Sequence, residues 1–266
     1  MLPDFEMIVR QIPGKDDATI FPTFDVHLGS RECREQQFIE WIDSIKGKPN
    51  VFLILGGDLI DNGTRNSVTN VFRATMSPAA QKREMAKILE PVRDQILCGT
   101  DGNHERRNRD VDDAPIYDIM AKLDLEQLYR PNMVFLKIQM GEQYRENGNR
   151  TSHYERPSYV FCVTHGSGGG ALPGGVLNKN QRMGYALDGV DCLVVGHSHK
   201  PMISQPGKIV VDPRNNLVSV RPFKVVVATS WLEYGDYAMQ KMLQPTSFAM
   251  QSIRLSAHTK ELVVTM

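Results

Sequence analysis

Apolar residues along this chain fall into two rhythms. Short β-branched runs read as strands, and between them stretches with an apolar position every three to four residues read as helices. Residues 51–55 (Val-Phe-Leu-Ile-Leu) are continuously apolar and too few for a helix, which predicts a strand buried on both faces. Residues 18–24 predict a strand ahead of it. Between the two, Phe38, Ile39, Trp41, Ile42 and Ile45 mark one face of a helix over 32–45, closed by Gly47. Ser77 before Pro78 has the form of an N-cap with proline in the first turn, opening a helix that turns Met85, Ile88 and Leu89 inward. Further strands are predicted over 96–99, 133–139, 160–164 and 193–195, and another helix over 114–125. The polar stretch 141–156 reads as a surface loop or hairpin. From residue 209 onward, short runs at 209–211, 217–220, 224–228, 253–255 and 262–265 read as strands that complete the sheets. Such alternation belongs to layered α/β domains, and no repeat or linker interrupts it, so one domain over 1–266 is expected.

Composition narrows the setting. A chain of 266 residues can bury a large core, and 31 basic residues balance 31 acidic ones, so no net field draws it to nucleic acid or a membrane. Only a local basic groove would serve that purpose. Cys33, Cys98, Cys162 and Cys192 are far apart in sequence and form no CxxC pair. They read as buried thiols rather than zinc ligands or disulfides. The opening Met1-Leu2-Pro3-Asp4-Phe5-Glu6 carries acids where a secretory leader needs bases and then an apolar run. No apolar run approaches a membrane span. A cytoplasmic protein without a membrane partner is expected.

The chemistry gathers at or just beyond the predicted strand ends. Asp25-Val26-His27, Gly56-Gly57-Asp58-Leu59-Ile60-Asp61, Gly102-Asn103-His104-Glu105, Thr164-His165-Gly166 and Gly196-His197-Ser198-His199 hold five of the seven histidines. Any one of these residues alone reads as a strand-end cap or turn former. Together they offer oxygen and imidazole donors suited to borderline divalent ions that hydrolyse a phosphate ester. Alternate residues of an extended segment face one side, so Asp25 and His27 can face one ion. Asp58, with two carboxylate oxygens, can bridge two ions, and Asn103 adds a neutral carbonyl. Arg106, Arg107 and Arg109 carry guanidinium forks that suit phosphate. The alternative for them is a solvated charge cluster with Glu105, Asp110, Asp112 and Asp113. The six glycines of residues 165–175 lack the Lys-Ser/Thr ending of a P-loop and read as a rim beside the site. Trp231, Tyr234 and Tyr237 read as packing of the C-terminal segment before base stacking, and His153 and His258 as surface residues.

In this order the five motifs, over residues 25–199, resemble the calcineurin-like metallophosphoesterase superfamily. The resemblance implies a four-layer α/β/β/α sandwich, two mixed sheets face to face with helices outside. Carried over by motif, Asp25, His27, Asp58 and His199 would hold one ion, and Asp58, Asn103, His165 and His197 the other, with Asp58 bridging. Manganese is the first expectation for the pair, with iron, zinc, nickel or magnesium as alternatives. A metal-bridging hydroxide would attack phosphorus in line. His104 would protonate the leaving oxygen or steady the phosphoryl group, and Asp61 would orient His104 unless it serves only as a turn former. Arg106 and Arg107 are the candidates for contact with substrate phosphate.

Departures from family branches narrow the substrate. Phosphoprotein phosphatases of the superfamily carry GDxxDRG, whereas this chain has Gly57-Asp58-Leu59-Ile60-Asp61-Asn62-Gly63 and lacks that arginine. The double-strand-break repair nucleases add a DNA-capping region, but only about 65 residues follow the last motif here. The glycine-rich stretch and the tail after Trp231 are more similar to stand-alone phosphoesterases of phages and mobile elements. A phosphodiester of a nucleic acid or nucleotide is the first substrate expected. The alternatives are a phosphomonoesterase or protein phosphatase, and a metal-binding scaffold without turnover.

Overall fold

The computed structural model describes residues 3–64, 67, 73–107, 113–141, 157–167, 172–240 and 242–266. In chain order the strands are β1 (Ile8–Ile12), β2 (Ala18–Thr23), β3 (Val51–Leu55), β4 (Ile96–Gly99), β5 (Met133–Met140), β6 (Ser158–Thr164) and β7 (Cys192–Val195). They continue with β8 (Met202–Ser204), β9 (Gly207–Asp212), β10 (Leu217–Pro222), β11 (Lys224–Val227), β12 (Ser252–Leu255) and β13 (Leu262–Thr265). The helices are α1 (Glu35–Ile45), α2 (Pro78–Leu89), α3 (Pro115–Lys122), α4 (Pro173–Ala186) and the short α5 (Asp236–Gln240).

Unbroken apolarity places β3 inside a five-stranded sheet of order β13-β12-β2-β3-β4, with β2 and β4 both parallel to it. A six-stranded sheet has the order β1-β5-β6-β7-β11-β8, and in it β6, β7 and β11 run parallel. Alternation along β5 shows how the sheets stack. Val134, Leu136, Ile138 and Met140 point into the main core with the first sheet, whereas Met133 and Phe135 pack with Val176 of α4 on the far side. On the opposite face of the molecule α1 buries Phe38, Ile42 and Ile45, and its Trp41 meets Phe21 of β2 edge to face at 5.7 Å. Helices α2 and α3 add Met85, Leu89, Ile116 and Ile119 to the same core. The result is an α/β/β/α sandwich of two mixed sheets. Ser77 caps α2 through its side chain with Pro78 in the first turn.

Several elements depart from the sequence expectation. β1 and β8 were not anticipated. α4 lies where the glycine-rich stretch ends, because Gly174, Gly175 and Gly184 blur its apolar stripe. Gly184 is itself required by packing, since a Cβ there would lie 2.3 Å from the Phe223 ring. β9 and β10 do not complete a large sheet but pair only with each other, leaving Ile209, Val211, Val218 and Val220 exposed. The stretch 142–156, residues 168–171 of the glycine-rich segment, Arg109, Asp110, Asp112 and His153 lie outside the described residues, as does the side chain of Tyr237. Trp231 is buried and packed in the core, whereas Tyr234 is exposed and donates its hydroxyl to the Leu243 carbonyl at 2.8 Å. His258 is exposed. All four cysteines are free, and burial pushes the Cys33 and Cys162 thiols up to about 12. Among the described residues no helix is long and apolar enough to cross a membrane.

Candidate metal centre

The two parallel trios, β2-β3-β4 and β6-β7-β11, point their carboxyl ends at one place, where open α/β sheets bind ligands. Asp25 and His27 follow β2, Asp58 follows β3, and Asn103 and His104 follow β4. His165 follows β6, and His197 and His199 follow β7. The loops are stitched to one another beyond the strands. Asp25 N–H donates to Gly57 O at 3.1 Å, His27 N–H to Asp58 O at 2.9 Å, and Gly196 N–H to His165 O at 3.1 Å.

The backbone here is unusual. Asp25, His27, Asp58, His197 and His199 all have φ between 51° and 67°, a left-handed conformation that side chains other than glycine adopt at a cost. Such conformations cluster where function needs a particular side-chain aim. Gly102 shows how tight the fit is: a Cβ there would meet Asp58 Oδ1 at 2.0 Å.

Ligand atoms converge in two groups with one carboxylate near both. Asp25, His27 and His199 form one cluster, and Asp58, His165 and His197 another, with donor atoms within 4.8 Å of one another in each. Asp58 Oδ2 lies 3.2 Å from His165 Nε2 and 3.8 Å from His27 Nε2. Asn103 Oδ1 sits 3.0 Å from His165 Nε2 and 2.6 Å from His197 Nδ1. His165 Nδ1–H donates to Gly56 O at 2.9 Å, which fixes the tautomer and leaves Nε2 facing the cluster. Burial opposes charge on Asp25, yet the surrounding imidazoles, His199 first, hold its carboxyl far below the usual range. Asp58 is likewise held low by His165 and His104 against burial.

A divalent ion fits this donor set. Asp25 Oδ1 is buried and accepts no hydrogen bond among the described residues, while His199, His27 and His165 bring Nε2 atoms to 3.2, 3.7 and 3.9 Å from it. A buried carboxylate oxygen ringed by imidazole nitrogens is an arrangement a cation satisfies by displacing their protons. Burial and the neighbouring His104 push His27 down to about 4, which leaves it a neutral imidazole able to ligate.

His104 stands beside these clusters and also groups with His27 and Asp58. Its Nδ1–H donates to Asp61 O at 2.7 Å, with Asp61 Oδ1 at 3.3 Å, and Nε2 is 3.8 Å from Asp58 Oδ2. Arg107 Nη2 donates to that Nε2 at 2.8 Å, and its Nη1 donates to Asp61 O at 3.1 Å. The ring is pulled both ways. Burial and Arg107 oppose its charged form, but the Asp58 carboxylate and Asp61 outweigh them and raise its pKa above the ordinary histidine value. Arg106 is turned elsewhere, donating from Nη2 to the carbonyls of Asp101 and Pro131.

Glu105, which the sequence offers only as a neighbour of the arginines in a solvated-cluster alternative, has a structural role at the site. It is buried, and its carboxylate accepts from the backbone N–H groups of Asp58, Leu59, Ile60 and Gly102 at 2.8–3.3 Å. It therefore ties the loop of Asp58 to the loop of Asn103. Burial and the charges of Asp58 and Asp101 push its carboxyl up to about 7. Asn62, in the position of the absent arginine, donates its side-chain amide to His104 O at 2.8 Å.

Carboxylates and imidazoles gathered at the carboxyl ends of two stacked mixed sheets define a metallohydrolase of the α/β sandwich class. Residues 25–201 match the calcineurin-like phosphoesterases, and the chain belongs to that family. It is accordingly a metal-dependent phosphoric ester hydrolase with a phosphoester substrate. Among solved structures it is similar to a conserved uncharacterized protein of Streptococcus pneumoniae TIGR4, described as a predicted phosphoesterase. The identity is 13% over 90% of this chain and 83% of that one, with a TM-score of 0.34. No curated protein matches the chain.

Proposed function

We propose that this chain hydrolyses a phosphodiester, in a nucleic acid or a nucleotide, at a pair of divalent ions. The observation that carries this reading is Asp58, whose single oxygen Oδ2 lies 3.2 Å from an imidazole of one cluster and 3.8 Å from an imidazole of the other. In this reading Asp25, His27, Asp58 and His199 hold one ion, Asp58, Asn103, His165 and His197 hold the second, and manganese suits the mixed oxygen and imidazole donors. Two such ions supply Lewis-acid activation of water and offset charge on the phosphoryl oxygens.

The protein's own groups do the rest. His104, aimed by Asp61, gives a proton from Nε2 to the leaving oxygen. Arg107 turns from His104 to a phosphoryl oxygen, which frees Nε2 for that transfer. Arg106 keeps its contacts with backbone carbonyls, so Arg107 alone of the two takes the phosphate role. Asn62 stands where phosphoprotein phosphatases place a second guanidinium, and one arginine beside the site suits the single charge of a diester. The main core draws on residues from Ile8 to Leu255, which supports one domain over 1–266.

Chelator-stripped protein assayed with and without manganese on bis(p-nitrophenyl) phosphate and on p-nitrophenyl phosphate tests the proposal. Metal-dependent turnover that favours the diester is expected. Preference for the monoester would point to a phosphomonoesterase, and no turnover on either with two ions bound would point to a scaffold.

A further inference from the structure

We propose that the segment beyond the family-matched region is part of the metal centre, with Ser230 and Thr246 as positioning residues for one ion of the two. The family match ends at residue 201. Asp25 and His199, both in the Asp25–His27–His199 cluster, are left-handed at φ 51° and 55°. Each presents its backbone carbonyl to the C-terminal third of the chain. Asp25 O accepts from Trp231 N–H at 2.9 Å and from the Ser230 hydroxyl at 3.1 Å, a buried pair. His199 O accepts from the Thr246 hydroxyl at 2.9 Å.

The two donors to Asp25 are themselves fixed, whereas Thr246 is exposed. Trp231 is wedged between Phe38, Trp41 and Phe248, with ring centroids 4.9, 5.3 and 4.8 Å away, and its carbonyl accepts from Arg34 N–H at 2.8 Å. Ser230 Oγ also accepts from Leu232 N–H at 3.1 Å, which orients its own proton toward Asp25. A left-handed Asp or His relaxes to negative φ when nothing holds its peptide, and its side chain then swings off the ion. The other cluster meets this segment only at second hand, through Asp25. His165 is held by Gly56 O, its carbonyl by Gly196 N–H, and His197 N–H by Asp25 Oδ2. Loss of the two hydroxyls therefore acts unequally on the two ions.

The inference rests on the dinuclear reading above, and one titration separates their failures. Full-length, chelator-stripped wild type, Ser230→Ala, Thr246→Val and Thr246→Ser are titrated with Mn2+ by calorimetry, and thermal unfolding in chelator confirms that each is folded. Wild type is expected to bind two ions. Ser230→Ala and Thr246→Val are expected to weaken one of them about tenfold, the scale for groups that orient ligands, and to weaken the other less. Thr246→Ser, which keeps the hydroxyl, is expected to match wild type. Wild-type affinity for both ions in Ser230→Ala and Thr246→Val, equal weakening of both, or failure of Thr246→Ser to rescue would overturn the inference while the dinuclear reading stands. Fewer than two ions on wild type would overturn the dinuclear reading itself.

Discussion

Replacing His104 by glutamine probes the acid arm of the reaction without removing an assigned ligand. The ring is fixed at both ends, by Asp61 O at 2.7 Å from Nδ1 and by Arg107 Nη2 at 2.8 Å from Nε2, with Nε2 only 3.8 Å from Asp58 Oδ2. In the proposed mechanism Arg107 leaves Nε2, whose proton then faces the leaving oxygen. Loss of a positioned general acid lowers a rate by roughly 10²–10⁴-fold. At about 1.36 kcal/mol per decade, this is about 2.7–5.4 kcal/mol of barrier. That whole loss is expected for a dinucleotide, whose leaving sugar hydroxyl departs poorly without a proton. With a p-nitrophenyl diester, whose leaving group departs readily as an anion, the loss should be about tenfold or less. The assay is kcat for both substrates at saturating Mn2+, with metal content measured in parallel because His104 groups with His27 and Asp58. An equal loss on both substrates with metal content intact would refute proton donation by His104.

Other tests address neighbouring groups. Arg107→Ala should raise KM for the diester about tenfold or more through loss of a charge-assisted contact, whereas Arg106→Ala should leave KM unchanged and lower thermal stability. Against burial, Asp58 raises His165 to about 10, so the metal-free folded chain holds a proton there that the unfolded chain releases above the ordinary histidine value. Stability from that proton is full below the unfolded value and is lost as pH rises through about 10. Because the ion must displace the proton, metal affinity should climb about tenfold per pH unit between roughly 7 and 9, with proton release visible in calorimetry across buffers. A flat affinity over that span would contradict it. Gly102→Ala would press a Cβ to 2.0 Å from Asp58 Oδ1, and overpacking of that kind should lower the melting temperature by roughly 2–12 °C and weaken metal binding.

The strands that carry ligands were legible because two signals coincided at their ends, an apolar run and residue types that bind metal. Boundaries shifted by a residue or a few, as in β5, which runs to Met140, and α1, which starts at Glu35. What escaped the sequence was set by distant contacts. Glu105 stands among charged neighbours, and only the approach of residues 58–60, some 45 positions away, makes it a buried acceptor. Ser230 and Thr246 are ordinary hydroxyls whose partners lie 205 and 47 positions off. β1 gave no clear alternation because Val9 is exposed and Arg10 and Gln11 follow it, and its partner β5 lies 128 positions away. β9 and β10 have the apolar alternation of sheet strands yet form a ribbon apart from the core, which no local pattern distinguishes.

The central claim is that turnover needs two ions sharing Asp58. Diesterase activity of stripped wild-type protein, titrated with Mn2+ at protein concentrations well above the dissociation constants, tests it most directly. Activity should stay low through the first equivalent, rise with the second and level off at two per chain, and Asp58→Asn should abolish the rise. Full activity at one equivalent, or a wild-type profile in Asp58→Asn, would contradict it.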